Sequence, residues 1–140
     1  MSDRFFLDTN ILVYSVDLNS PNKQVLANNL VRNAIESRRG VISYQVVQEF
    51  FSVAFRFQTP MELDDAERYL ATTLRSLPVV HSSYALFVRA LQLNRQNSLS
   101  WYDSLIVAAA LEGECGILYS EDFQDQQTFG KLKVVNPFRQ

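Results

Sequence analysis

Phe5-Phe6-Leu7-Asp8-Thr9-Asn10 is a run of large apolar residues that stops on an acid, a hydroxyl and an amide. A short, continuously apolar run suits a strand buried on both faces, so Arg4 to Leu7 is predicted as the first strand. Asp, Thr and Asn side chains bond to nearby backbone and favour turns and helix starts, so Asp8-Thr9-Asn10 is predicted to open a helix. The alternation recurs outward from this point. Ser20-Pro21 offers an N-cap and a proline at the first helical position, for a helix through Val25, Leu26, Leu30, Ala34 and Ile35 that stops at Gly40. Val41 to Ser43 is a second strand, followed by a helix over Tyr44 to Phe57. Thr59-Pro60-Met61-Glu62 has the spacing of a capping box for the next helix, to about Leu77. Pro78 to His81 is extended, Ser83 caps a helix to Gln96, and Ser100 caps one from Trp101 to Glu112. Gly113 to Gly116 ends that helix before strands at Ile117 to Tyr119 and Lys133 to Val135.

Short strands alternating with helices of ten or more residues predict an α/β fold, a short-stranded parallel sheet flanked by helices. Such a sheet gathers its strand C-termini along one edge, where open α/β sheets bind their ligands. The 140 residues fall within the usual range of about 100 to 200 for one domain, and with no repeat or linker the whole of 1–140 is expected to be a single domain.

Composition removes several classes of function. The net charge of −2 and pI near 5.3 exclude a basic coat for nonspecific nucleic-acid binding, although ten of the thirteen basic residues are Arg, the better fork for phosphate. Cys115 is the only cysteine, which excludes a disulfide framework or cysteine zinc site and suits a reducing, cytoplasmic compartment. The longest apolar run, Leu105 to Leu111, is far short of the roughly 20 residues of a membrane span. Met1-Ser2-Asp3-Arg4 has an acid where a signal peptide has its basic region, so a soluble protein that is not exported is expected. His81 is the only histidine, which excludes a two-histidine ribonuclease and a His-rich zinc site; it is expected to be structural or on the surface. The phosphate loop, the dinucleotide fingerprint and the nucleophile elbow all lack their glycine patterns.

Four carboxylates remain. Asp8 follows the first predicted strand and Asp122 follows the fourth, so a parallel sheet would place both on one edge; each also has a plain role, as a helix cap or as a loop acid. Asp103 can complete a capping box with Ser100, yet its helical face is shared with Ile106, Val107 and Ala110, where a charge needs a donor or a cation. Glu49 sits in a polar stripe with Gln45, Gln48, Ser52 and Arg56, and periodicity alone favours a solvated face. Acids gathered at one edge repel one another, and a hard divalent cation such as Mg²⁺ relieves that repulsion while leaving room for substrate phosphate. Metal-assisted phosphodiester cleavage is the reaction class that follows.

Phe5-Phe6-Leu7-Asp8-Thr9-Asn10, Glu49 after Ser43-Tyr44-Gln45-Val46-Val47-Gln48, Trp101-Tyr102-Asp103-Ser104-Leu105-Ile106-Val107-Ala108-Ala109-Ala110 and Leu118-Tyr119-Ser120-Glu121-Asp122, in this order, closely resemble the PIN domain. The likeness is strongest to VapC-type toxins of bacterial toxin-antitoxin pairs and extends to the Val135-Asn136-Pro137-Phe138 ending. It implies a three-layer sandwich and a Mg²⁺- or Mn²⁺-dependent endoribonuclease in which Asp8, Glu49, Asp103 and Asp122 hold the metal. Asn10 and Ser120 would support that site, and Glu121 and Asp125 stand in the same loop as Asp122. The resemblance also implies a homodimer, an RNA substrate and a cognate antitoxin. Arg38, Arg39, Arg56, Arg89 and Arg95 are candidate phosphate contacts, and some of Phe50, Phe51, Phe55 and Phe57 could serve a dimer or antitoxin surface. Alternatives are a structure-specific nuclease outside a toxin-antitoxin pair and a catalytically silent interaction module. A phospho-receiver domain is disfavoured because Lys23, Lys131 and Lys133 do not supply its late strand-end lysine.

Overall fold

A computed structural model describes residues 3–139. Along the chain run β1 (Phe5–Leu7), α1 (Thr9–Val16), α2 (Pro21–Ser37), β2 (Gly40–Ser43), α3 (Tyr44–Ala54) and α4 (Leu63–Thr72), a 3₁₀ turn at Leu74–Ser76, then β3 (Val79–Val80), α5 (Tyr84–Gln96), α6 (Trp101–Glu112), β4 (Ile117–Tyr119), β5 (Thr128–Phe129) and β6 (Leu132–Val135). The sheet order is β3-β2-β1-β4-β6-β5. Phe5 registers with Gly40 on one side and Ile117 on the other, and Ile117 registers with Lys133, so β1 and its neighbours are parallel. Helices α1, α2 and α3 pack together, α5 packs on α6, and α2, α3 and α6 all reach β2. This is the predicted α/β sandwich.

Burial follows the apolar runs. Phe5, Phe6 and Leu7 are all buried, as a strand covered on both faces requires, and Ile106 to Ala110 are buried in α6. The chain passes from β1 to β2 on one side and returns to β4 on the other. The order of the strands therefore reverses between β1 and β4, the place in an open α/β sheet where a crevice forms at the strand C-termini. Asp8 follows β1 and Ser120 follows β4, and the two strand ends are tied by Asp8 N donating to Tyr119 O at 3.1 Å.

The structure corrects several sequence expectations. The sheet is not wholly parallel: β5 runs antiparallel to β6, through a tight reversal in which Gly130 adopts φ 60°, the left-handed region that glycine enters without a Cβ penalty. Helix α2 stops at Ser37 with Arg38 in the left-handed cap at φ 61°, and Gly40 instead begins β2. Its lack of a side chain admits α2, because a Cβ there would overlap Ala34. Ser20 occupies the cap position before Pro21 without a side-chain capping bond. The capping box at Thr59 to Glu62 does not form: Met61 N bonds back to Ala54 O, the chain stays extended, and α4 starts at Leu63 behind Glu62. Helix α3 ends at Ala54 rather than Phe57, since Arg56 N and Phe57 N close tighter turns onto Val53 O and Ala54 O. Helix α4 ends at Thr72 rather than near Leu77, and the 3₁₀ turn takes up the remainder.

Candidate active site

Asp8 is both an N-cap and a buried acid. Its backbone is extended at the end of β1, and Oδ1 accepts from Thr9 N at 2.7 Å, which satisfies a free donor of α1. Oδ2 accepts from the Ser120 hydroxyl at 2.7 Å. Only 4% of the residue is exposed. Burial pushes its carboxyl up to about 7; the charges of Asp122 and Glu49 add to the push, and the bonds from Ser120 and Thr9 oppose it.

Two short chains of hydrogen bonds connect Asp8 to the other acids. Ser120 Oγ accepts from Asp122 N at 3.0 Å and from Asn10 Nδ2 at 3.4 Å, and Asn10 Nδ2 donates to Asp122 Oδ2 at 3.0 Å. The Thr9 hydroxyl donates to Glu49 Oε1 at 2.7 Å. Gln45 Nε2 donates to Glu49 Oε2 at 3.3 Å and to Tyr102 O at 3.1 Å, tying the start of α3 to the start of α6. Asp103 stands in the first turn of α6, half-buried, where the Ser100 hydroxyl caps its N–H at 3.1 Å. Burial raises its carboxyl too, and Asp122 and Glu49 act on it with the same sign.

Asp8, Glu49 and Asp122 are thus drawn together by Thr9, Asn10 and Ser120, and Asp103 lies within electrostatic range of Glu49 and Asp122. The other acids of the last loop face elsewhere. Glu121 pairs with Lys23 at 2.9 Å and accepts from Tyr14 OH at 2.6 Å, and Asp125 accepts from Asn136 N at 2.8 Å. His81 is exposed, with its ring edge-on to Tyr44 at 4.5 Å. Thr9 and Gln45 carry more of the arrangement than sequence reasoning assigned to them. Thr9 sits between two singled-out residues, and Gln45 is four residues before Glu49, the spacing of neighbours on a helix face.

A hard divalent cation fits this donor chemistry. The groups offered are oxygens alone, Asp8 is raised chiefly by burial with Asp122 and Glu49 adding to it, and the buried Asn10 Oδ1 has no hydrogen-bond partner among the described residues. Convergence is incomplete, however. Among the described residues, no three acidic, imidazole or thiol groups stand close enough to hold one ion.

The PIN domain family matches residues 5–129, a span containing every residue of this network. The chain belongs to the PIN domain family. Its fold is shared with a chain of a toxin-antitoxin complex from Klebsiella pneumoniae, 20% identical, with 95% of this chain and 97% of that one covered at a TM-score of 0.67. It is shared with VapC20 of Mycobacterium tuberculosis, a toxin that cleaves the sarcin-ricin loop, at 16% identity over 84% of this chain and 89% of that one, TM-score 0.60. It is shared also with VapBC2 of Rickettsia felis bound to a fragment of its promoter DNA, at 18% identity over 93% and 96%, TM-score 0.65. At these identities the likeness is one of fold. No curated protein sequence matches this PIN domain chain.

Proposed function

We propose that the protein is a Mg²⁺- or Mn²⁺-dependent endoribonuclease of a single PIN domain over 1–140, and the toxin of a type II toxin-antitoxin pair. Asp8, Glu49, Asp103 and Asp122 would hold the ion, with Asn10 and Ser120 supporting them. The observation that carries this reading is the buried Asp8 at the β1/β4 crevice, raised to about 7 with Glu49 and Asp122 beside it. A charge so placed is costly for folding alone and useful to a site that takes a cation. When bound, the ion would neutralise the phosphodiester and activate water for attack on phosphorus. The chain's own contribution is positioning. Ser120 and Thr9 N hold Asp8, the Thr9 hydroxyl holds Glu49, and the Asn10 amide holds Asp122. The Asp8 carboxyl, raised to about 7, must be free of its proton to serve as a ligand.

The named relatives of this fold support the biological setting: one comes from a toxin-antitoxin complex and another cleaves an RNA loop. A cognate antitoxin, a homodimeric state and a cytoplasmic location belong to the same proposal. No described helix is long and apolar enough to cross a membrane. The incomplete convergence of the acids favours a second reading, a catalytically silent PIN fold that serves protein contacts. One experiment separates the two. Purified, antitoxin-free protein is incubated with total RNA with and without Mg²⁺, and the cut ends are mapped; discrete ends that need Mg²⁺ and vanish in Asp8→Asn support the nuclease, and intact RNA in all arms supports the silent module.

A further inference from the structure

A groove of about 680 Å³ opens beside the acids and continues along α3. Asp17, Glu49 and Asp122 line it together with Arg56 and Phe57. Glu49 lies in α3 and Arg56 just past its C-terminal end, and Arg56 is the one basic side chain among the lining residues, with three acids. Of the five arginines the sequence offers as phosphate contacts, Arg56 alone lines this groove. Arg39 lies 4.0 Å from Asp3 and Arg89 lies 3.4 Å from Glu112, and Arg38 is the left-handed cap of α2.

The Arg56 guanidinium is held in place without being neutralised. Nε donates to Ser52 O at 2.8 Å and Nη2 to Ser52 Oγ at 3.3 Å, which folds the side chain back along α3. A guanidinium has five N–H donors, so most remain free, and among the described residues no carboxylate pairs with Arg56. A fixed fork with unused donors and no paired carboxylate, lining a groove, suits a phosphate. An acidic peptide would have to run past Glu49 and Asp122. A nucleic-acid strand carries a phosphate at every nucleotide, so it can place one at the cation-loaded acids and another at Arg56.

We infer that Arg56 is a substrate-binding residue, holding a phosphate of single-stranded RNA that flanks the one to be cut. This rests on the endoribonuclease reading and extends it by a specificity contact. Phe57, half-buried against the core, lines the same groove, where an aromatic ring can stack on a neighbouring base.

The test measures binding of a fluorescein-labelled single-stranded RNA 12-mer by anisotropy across a salt series, in the Asp8→Asn background with Mg²⁺ present. Arg56→Gln should weaken binding about tenfold. It should also reduce the slope of log K against log salt by about 0.7, the contribution of one phosphate on a single strand. Arg56→Lys should keep the slope and recover part of the affinity, and Arg95→Gln should match the parent in both. In the active chain, Arg56→Gln should raise KM for the oligonucleotide with little change in kcat. If Arg56→Gln has the same slope and affinity as Arg95→Gln, the inference is overturned while the nuclease reading stands. A variant that loses binding of a protein partner but keeps the RNA slope overturns it as well. If the unsubstituted chain neither binds nor cuts RNA, the endoribonuclease reading itself has failed.

Discussion

Replacing Asp8 with Asn should stabilise the ion-free protein at alkaline pH and not at acid pH. The carboxyl ordinarily titrates at 3.8 and is raised to about 7 in the fold, chiefly by burial. The neutral form is therefore the one the fold prefers. As pH rises from about 4 to 7 the unfolded chain ionises first, and wild-type stability falls by up to about 1.4 kcal/mol per pH unit, levelling off above 7. The full gap corresponds to roughly 4 kcal/mol. Asn removes that penalty and introduces another. Oδ2 accepts from Ser120 Oγ, and an amide nitrogen in its place can only donate, so the Ser120 hydroxyl must turn and lose its acceptor. The help this bond gives the charged form is already contained in that figure, so the loss is that of a neutral bond, about 0.5 to 1.5 kcal/mol, which leaves a net gain for Asp8→Asn of about 2.5 to 3.5 kcal/mol at pH 8. In a chain of this size that is a rise in melting temperature of several degrees. The assay is thermal or urea unfolding of both proteins in EDTA at constant ionic strength, from pH 4.5 to 8. The variant should be clearly more stable at pH 8 and close to wild type at pH 4.5. A difference that does not vary with pH would refute the placement of an ionisable, strained carboxylate at this position.

Millimolar Mg²⁺ or Mn²⁺ should raise the wild-type melting temperature, by the equivalent of about 2.7 kcal/mol at a hundredfold excess over Kd, and the rise should shrink in Asp103→Asn; no shift in the wild type would mean that the acids do not share an ion. Thr9→Val removes the hydroxyl that holds Glu49 Oε1 and should cost about 10- to 100-fold in RNA cleavage or metal affinity with the fold retained by circular dichroism; full activity would show that Glu49 needs no such tether. His81→Ala should leave turnover intact, since the ring is exposed and packs edge-on to Tyr44, and a large loss of turnover in that variant would place imidazole in the chemistry.

Much of the site was legible where local rules and global placement agree. The Asp8 triplet reads as a strand end and a helix cap, and it is both. Ser83 and Ser100 read as caps and accept from Leu86 N and Asp103 N. The misread elements share one cause: a local signal competed with a tertiary contact and lost. Thr59 to Glu62 has the residues of a capping box, but Met61 N finds Ala54 O and the box stays open. Gly40 looks like a helix stop, and its work is to let α2 come up against β2. Glu49 was the least legible acid, because a carboxylate on a polar stripe looks the same whether the stripe meets solvent or a neighbouring Thr9 hydroxyl.

The order of apolar runs, turn residues and caps by itself determined that strands and helices alternate, that the sheet is mainly parallel, and that Asp8 and Asp122 leave it by the same edge. Those properties depend on neighbours along the chain, which any sequence displays. Only the tertiary structure decided that the strand order reverses between β1 and β4, that Asp122 rather than Glu121 or Asp125 turns toward Asp8, and that Arg56 lines the same groove as the acids. Each of these depends on residues far apart in sequence, such as Asn10 with Asp122 and Lys23 with Glu121. Hydrogen bonding and charge act over a few ångströms of space, so the partner of a side chain is set by where the fold brings the chain back, and not by its position along it.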